Sequence, residues 1–306
     1  MDNPVQKIIP FLWFDTNGKD AVDFYTTVFE NATINSITRF PGAGIEIHKQ
    51  ETGSIMTVDF SIENYRMVAL NGGPDFKFNS SISFFLLYED EKKIKEVWER
   101  LLEGGSEMMP LDSYDWSSQY GWLQDRFGVN WQLMLEKERN CPETVVPMIF
   151  FTGKNQGKAA TAIKFYTSVF NNSNIQGMLT YGEENPFANG HIMHAQFSLE
   201  DQTFMAMDSG MENDFPFSEA ISFMVNCKDQ KEIDYYWNKL SEGGDPAAQQ
   251  CGWLKDKFGV SWQVAPTGMN EILNDPDKEK ANRLMEEVLQ MKKFDLDTIN
   301  KAAGKS

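Results

Sequence analysis

The stretch GWLQDRFGVNWQ, Gly121 to Gln132, returns as GWLKDKFGVSWQ, Gly252 to Gln263. The separation, about 130 residues, is too long for a solenoid repeat and close to the size of a whole domain, which points to tandem duplication. Other segments answer one another in the same order. KIIPFLWFD from Lys7 matches TVVPMIFFT from Thr144, and FYTTVFEN from Phe24 matches FYTSVFNN from Phe165. GSIMTVDFSIE from Gly53 matches GHIMHAQFSLE from Gly190, and SISFFLLYEDEKKIKEVWERLLEGG from Ser81 matches AISFMVNCKDQKEIDYYWNKLSEGG from Ala220. The spacing breaks at one place, where SEMMPLDSYDWSSQY stands against only DPAAQQC in the second copy. The chain therefore divides into a first domain, 1–139, a second, 144–270, and a tail, 271–306, joined through the polar, proline-bearing KERNCPET.

Within each copy, apolar residues recur at helical spacing. Ala21, Phe24, Tyr25, Val28 and Phe29 form one stripe, and Ala162, Phe165, Tyr166, Val169 and Phe170 repeat it. A second stripe, Ile94, Val97, Trp98, Leu101 and Leu102, stops at Gly104-Gly105 in the place of a glycine cap; Ile233, Tyr236, Trp237 and Leu240 do the same before Gly243-Gly244. Strand-like runs such as IIPFLWF and ISFFLLY precede these helices, and IMTVDFSI, RMVALNG and VNWQLML follow them. The order is β-α-β-β-β, twice per copy. The expected fold class is α+β, with strongly twisted sheets that carry their helices on one face. DRFG and DKFG read as hairpin turns, the glycine free to take positive φ. Beyond the first turn, Val129, Trp131 and Leu133 are expected under the helices, and Asn130, Gln132 and Met134 on the concave face. Gln132 and its partner Gln263 would there face a ligand.

Composition narrows the partners. Of 306 residues, 28 are Lys or Arg and 45 are Asp or Glu, a formal net charge of −17 that repels phosphate backbones and anionic lipid. Neither nucleic acid nor membrane is expected as a partner. No apolar run approaches the roughly 20 residues that span a bilayer, and MDNPVQKIIP lacks the features of a signal peptide, so the chain is read as cytoplasmic. Cys141, Cys227 and Cys251 show no CxxC spacing and are read as plain thiols.

On IIPFLWFDTNGKDAVDFYTTVF, GHIMHAQFSLEDQTFMAMD, GWLKDKFGVSWQVAP and the tail LNDPDKEKANRLMEEVLQMKKFDLDTINKA, the chain resembles the vicinal oxygen chelate superfamily of glyoxalases, bleomycin-resistance proteins and extradiol dioxygenases. It is most similar to the PhnB-like branch, often labelled 3-demethylubiquinone-9 3-methyltransferase. The resemblance covers almost the whole chain. It implies βαβββ units forming cupped mixed sheets around a cavity, with a helical tail, and two fused copies acting as a pseudo-dimer in place of a homodimer. A further homodimer is left open.

The metal enzymes of that superfamily hold a divalent ion at positions that fall here at about Pro10 and Pro147, near Leu70 and Met207, near Ser83 and Ser222, and on Gln132 and Gln263. Prolines offer no ligand atom and amides no charge compensation, so no cofactor is expected; a divalent metal is the alternative. His191 and His194, three apart on an expected strand, face opposite sides and do not form a pair. His194 lies in the branch's MHA pattern, opposite Thr57 of the first copy, and is the one candidate acid or base; a strand histidine satisfied by its neighbours is the plainer reading. Aromatic and sulfur-bearing residues, among them Trp13, Phe150, Met56, Met193, Met205 and Met207, with Tyr114 and Trp116 in the insertion, suit a flat or apolar guest but equally suit a core. The insertion LDSYDWSSQY is read as a polar loop that gates a ligand. The best candidate for an S-adenosylmethionine turn, PGAG at Pro41 to Gly44, is followed by IEIHK, read as no helix, so methyl transfer ranks low. The tail carries Ala281, Leu284, Met285, Val288 and Leu289 at helical spacing and restarts near Asp295; it is expected to dock on the second copy or on another chain. Two functions stay open: a binding protein for a small aromatic or amphipathic molecule, with Gln132, Gln263, His194, Trp13, Trp116 and Thr57 as ligand contacts, or a lyase, isomerase or dioxygenase-type enzyme of the same superfamily.

Overall fold

A computed structural model describes residues 6–137, 144–269, 273 and 277–304. Most of the KERNCPET join, with Cys141, and part of the boundary between second copy and tail lie outside the described residues.

The first copy runs β1 (Ile8–Phe14), α1 (Gly18–Val28), β2 (Ala32–Arg39), α2 (Ile45–His48), β3 (Ile55–Ile62) and β4 (Tyr65–Asn71), then β5 (Ile82–Tyr88), α3 (Glu91–Leu102), β6 (Ser106–Tyr114), β7 (Ser117–Gln124) and β8 (Asn130–Leu135). The second runs β9 (Val145–Phe151), α4 (Ala159–Val169), β10 (Asn174–Thr180), β11 (Ile192–Leu199) and β12 (Gln202–Asp208), then β13 (Ile221–Cys227), α5 (Gln230–Ser241), β14 (Trp253–Lys255) and β15 (Ser261–Pro266). The tail forms α6 (Lys278–Gln290) and α7 (Leu296–Ala302). The fold is α+β, built of βαβββ units. The last unit has only two strands after its helix. Its short DPAAQQC makes a 3-10 turn, Pro246–Ala248, where the first copy extends β6 and β7.

The insertion read as a gating loop is in fact a hairpin. β6 and β7 pair antiparallel from Ser106↔Gln124 to Tyr114↔Ser117. Backbone hydrogen bonding to its neighbour accounts for a segment whose polar side chains disguise a strand. A second correction concerns PGAG: one helical turn, α2, follows it, entered through Gly44 at φ +84°.

The sheets do not follow the copies. Sheet A has the order β14-β15-β13-β1-β4-β3-β2, and sheet B the order β10-β11-β12-β9-β5-β8-β7-β6. Each is mixed. β1 pairs antiparallel with β13, Ile8 opposite Val225, and β5 pairs antiparallel with β9, Ile82 opposite Ile149. Every sheet thus joins one unit from each copy, and the two sheets correspond strand for strand, apart from β6.

Helix ends follow their sequences. The Asp90 side chain accepts from Lys92 N at 2.7 Å to cap α3, and Asp229 accepts from Glu232 N at 2.9 Å to cap α5. Past α3, Gly104 takes φ +71°, and a Cβ on Gly105 would lie 2.3 Å from Gln124 O, so the glycine pair ends the helix and lets β7 approach. α1 and α5 pack on sheet A, α3 and α4 on sheet B. Ile8, Leu12, Tyr25, Ile94, Trp131, Tyr166 and Trp262 share one continuous core on these helix-bearing faces. The expected side for Trp131 and Leu133 is therefore met.

Candidate functional site

The opposite faces, called helix-free because α1, α3, α4 and α5 leave them bare, carry a separate apolar cluster on each sheet. On sheet B it comprises Phe85 and Leu87 from β5, Tyr120 from β7, Val146 and Met148 from β9 and Met205 from β12, with Met109, Tyr114, Trp122, Met134 and Met207 packed around them. Alternation explains the split: in β5 the even residues Phe84 and Leu86 join the main core, the odd ones this face.

Polar groups are threaded through the cluster. Gln132 is buried; its Nε2 donates to Ser83 Oγ at 2.8 Å and its Oε1 accepts from Tyr120 Oη at 2.6 Å. Burial raises the Tyr120 phenol well above its ordinary value, so it stays protonated and donates. His194 on β11 turns toward the same face, its ring edge-on to Phe85 at 6.5 Å. Burial lowers the His194 pKa from 6.5, which keeps the imidazole neutral at neutral pH. At the β6–β7 end three rings meet: Tyr114 stacks on Trp116 at 5.0 Å, and both approach Tyr120, at 5.7 and 5.8 Å. Trp116 is 63% exposed, a large aromatic at the rim of a buried polar network.

Sheet A repeats the plan with different occupants. Gln263 Nε2 donates to Ser222 Oγ at 2.8 Å, as in sheet B. Thr57 pairs with Thr38 at 2.6 Å, and Trp13 donates from Nε1 to Gly73 O at 2.8 Å. Ile9, Phe11, Phe40, Met56, Val68 and Leu70 form the cluster, and the tail residue Met285 belongs to it. The six ligand contacts expected from sequence are therefore divided: Gln132, His194 and Trp116 on sheet B, Gln263, Thr57 and Trp13 on sheet A. His191 precedes β11 and lies beside Gln156, apart from His194. Sequence reasoning passed over Phe85 and Tyr120; the latter was visible as the mismatch of Tyr120 with Cys251 between otherwise matching phrases.

The positions that the resemblance marks for a metal do not suit a divalent ion here. Ile9 and Phe11 lie on the helix-free face of β1, which places Pro10 between them on the other side, and β9 repeats this with Val146, Pro147 and Met148. Leu70 and Met207 bring no charge, and each serine is engaged by its glutamine. Among the described residues, no three His, Cys, Asp or Glu side chains are grouped closely enough to hold an ion. No helix among them is long and apolar enough to cross a membrane.

Paired βαβββ units in two mixed sheets define a glyoxalase-like fold. Glyoxalase I from Zea mays aligns over 83% of this chain and 90% of its own, with TM-score 0.51 and 12% identity; a mutant of it covers 85% and 94%, with 0.54 and 10%. Residues 6–134 and 143–265 each match the 3-demethylubiquinone-9 3-methyltransferase family, and the chain belongs to that family. A PhnB protein from Bacillus cereus is 32% identical over 43% of this chain and 100% of its own, with TM-score 0.39. No curated protein matches the chain.

Proposed function

We propose that the chain binds one small, flat or amphipathic organic molecule on the helix-free face of sheet B, without a catalytic metal. The observation that carries this reading is the junction of the Tyr114–Trp116–Tyr120 ring group with the Tyr120–Gln132–Ser83 hydrogen-bond chain. Rings offer a stacking surface, and the amide fixes the register of a polar edge. The copies 1–139 and 144–270 act in this reading as one pseudo-dimer, since sheet B needs a unit from each. A thermal-shift screen with aromatic antibiotics, quinones and glyoxalase-type thioesters, followed by calorimetry, tests it. A stabilising ligand whose affinity falls about tenfold in Trp116→Ala is expected. Binding unaffected by both Trp116→Ala and Gln132→Ala rejects this location.

A lyase or isomerase is the second reading, favoured by the neutral His194 imidazole on the same face, able to take or return a proton. Turnover of a bound thioester or enol that disappears in His194→Gln while binding persists would move the assignment to an enzyme.

A further inference from the structure

Sheets A and B correspond strand for strand, yet their helix-free faces differ in what covers them. Met56 of β3 and Met193 of β11 are equivalent in the two copies; Met56 is 7% exposed and Met193 41%. Two groups from outside the strands cover Met56: Phe40, just past β2, and the tail. Met285 of α6 is buried among Ile9, Phe11, Met56, Val68 and Leu70, with Leu289 packed beside it. All members of the corresponding cluster on sheet B come from the strands themselves.

Polar contacts hold α6 in that position. Asn282 Oδ1 accepts from the amides of Gly42 and Ala43 at 2.8 and 3.2 Å, and Leu289 O accepts from Gln250 Nε2 at 2.5 Å. Beyond the helix, Met291 O accepts from the amide of Cys251 and Lys292 O from that of Gly252, both at 2.8 Å. Cys251 corresponds to Tyr120, whose neighbour across the ladder is β6. The tail backbone therefore stands where sheet B has its extra strand. Gly44 is part of the fit: a Cβ there would lie 2.2 Å from Leu289 Cδ1. The occupant also describes what the face accepts, namely an apolar body, here a thioether and an isobutyl group, with an acceptor oxygen at one end aimed at two backbone amides.

We propose that the helix-free face of sheet A is a second binding site for an elongated amphipathic molecule with an acceptor head, closed in this chain by its own helix α6. The proposal rests on the reading of sheet B only for the shared chemistry of the two faces. It makes the chain a one-site binder and release of α6 the step that exposes a second site.

The test uses the full chain and an anionic naphthalene dye, 8-anilinonaphthalene-1-sulfonate, titrated into wild type and into Met285→Glu, which places a carboxylate inside the apolar cluster. Leu289→Asp, at a half-buried position, is the gentler alternative if Met285→Glu does not fold. Circular dichroism must remain native, and α6 amides should exchange about tenfold faster than in wild type. One dye site in wild type and two in the released variant support the proposal. None in wild type and one in the variant also support it, and overturn the reading of sheet B instead. Equal numbers of sites in wild type and a native-like variant with α6 released overturn the proposal, as do two sites in wild type. Should neither variant fold, hydrogen exchange of wild type in excess dye decides: dye that competes for sheet A loosens α6, and unchanged α6 protection at dye saturation overturns the proposal.

Discussion

Tyr25 donates its hydroxyl to Asp125 Oδ2 at 2.8 Å, and this bond spans the two sheets. Tyr25 sits on α1 against sheet A, whereas Asp125 opens the β7–β8 turn of sheet B. The same carboxylate accepts from Trp131 Nε1 at 2.8 Å and from the amides of Phe127 and Val129 at 2.9 and 3.0 Å. The second copy repeats all of it: Asp256 accepts from Tyr166, Trp262, Phe258 and Val260. The twice-written phrase is thus the fastener that closes each copy across the sheets. A buried carboxylate with four donors tolerates few substitutes, because each lost acceptor strands a donor in the core.

Removing one donor and removing the acceptor should therefore differ. Tyr25→Phe leaves three donors in place and is expected to cost about 1–2 kcal/mol, whereas Asp125→Ala strands four donors and opens space, for about 3 kcal/mol or more. Urea unfolding measures both. Equal costs would show that the carboxylate is no hub.

The same two carboxyls give a pH signature. Burial raises Asp125 and Asp256 from 3.8, against the opposing pull of their donors. The native state then holds protons that the unfolded chain has released, so stability falls as pH rises from about 4 through the raised folded values, and levels above them. Unfolding free energies measured from about pH 4 upward should lose this slope in Asp125→Asn together with Asp256→Asn. A wild-type contribution that grows with pH in this window contradicts the burial account.

His194 titrates with the opposite sense. Its lowered value means that the unfolded chain binds the proton first, so its contribution is intact above about pH 6.5 and is lost as pH falls through the folded value. Imidazole proton NMR, with His194→Gln for assignment, should place its midpoint below 6.5. A midpoint above 6.5 would mean a partner that favours the charged ring, and would weaken the case for a neutral acid or base on sheet B.

How far the sequence could be read depends on the range of the interactions involved. The stripes ending at Gly104 and Gly243, the turns at Gly128 and Gly259 and the facing of Trp131 are set within a few residues and were legible. The pairing of Ile8 with Val225 is not, since nothing local in β1 distinguishes a partner in its own copy from one in the other. The β6–β7 hairpin was obscured because Asp112, Ser113 and Ser117 look like loop residues until a neighbouring strand supplies hydrogen bonds. The tail, expected on the second copy or on another chain, instead seats α6 on β1, β3 and β4 of the first copy, and this was hidden for another reason. IIPFLWF is apolar at every position of β1, which marks both of its faces as covered but does not reveal that α6 is the cover on one of them.

The crossing of strands between copies predicts what happens when they are separated. Residues 1–139 alone would leave β1 without β13 and β5 without β9, exposing two long apolar strand edges. β1 is equivalent to β9 and β5 to β13, so two such fragments can pair β1 of each with β5 of the other and rebuild both sheets. The isolated first copy is expected to be a dimer at micromolar concentration in sedimentation equilibrium, with its unfolding midpoint rising with protein concentration. Adding residues 144–270 should exchange that homodimer for a heterodimer, because the Tyr25–Asp125 and Tyr166–Asp256 fasteners lie within the copies and leave the strand edges free to choose. A stable, folded monomer of the first copy would mean that β1 and β5 find each other within one copy, and that the crossing seen here is dispensable.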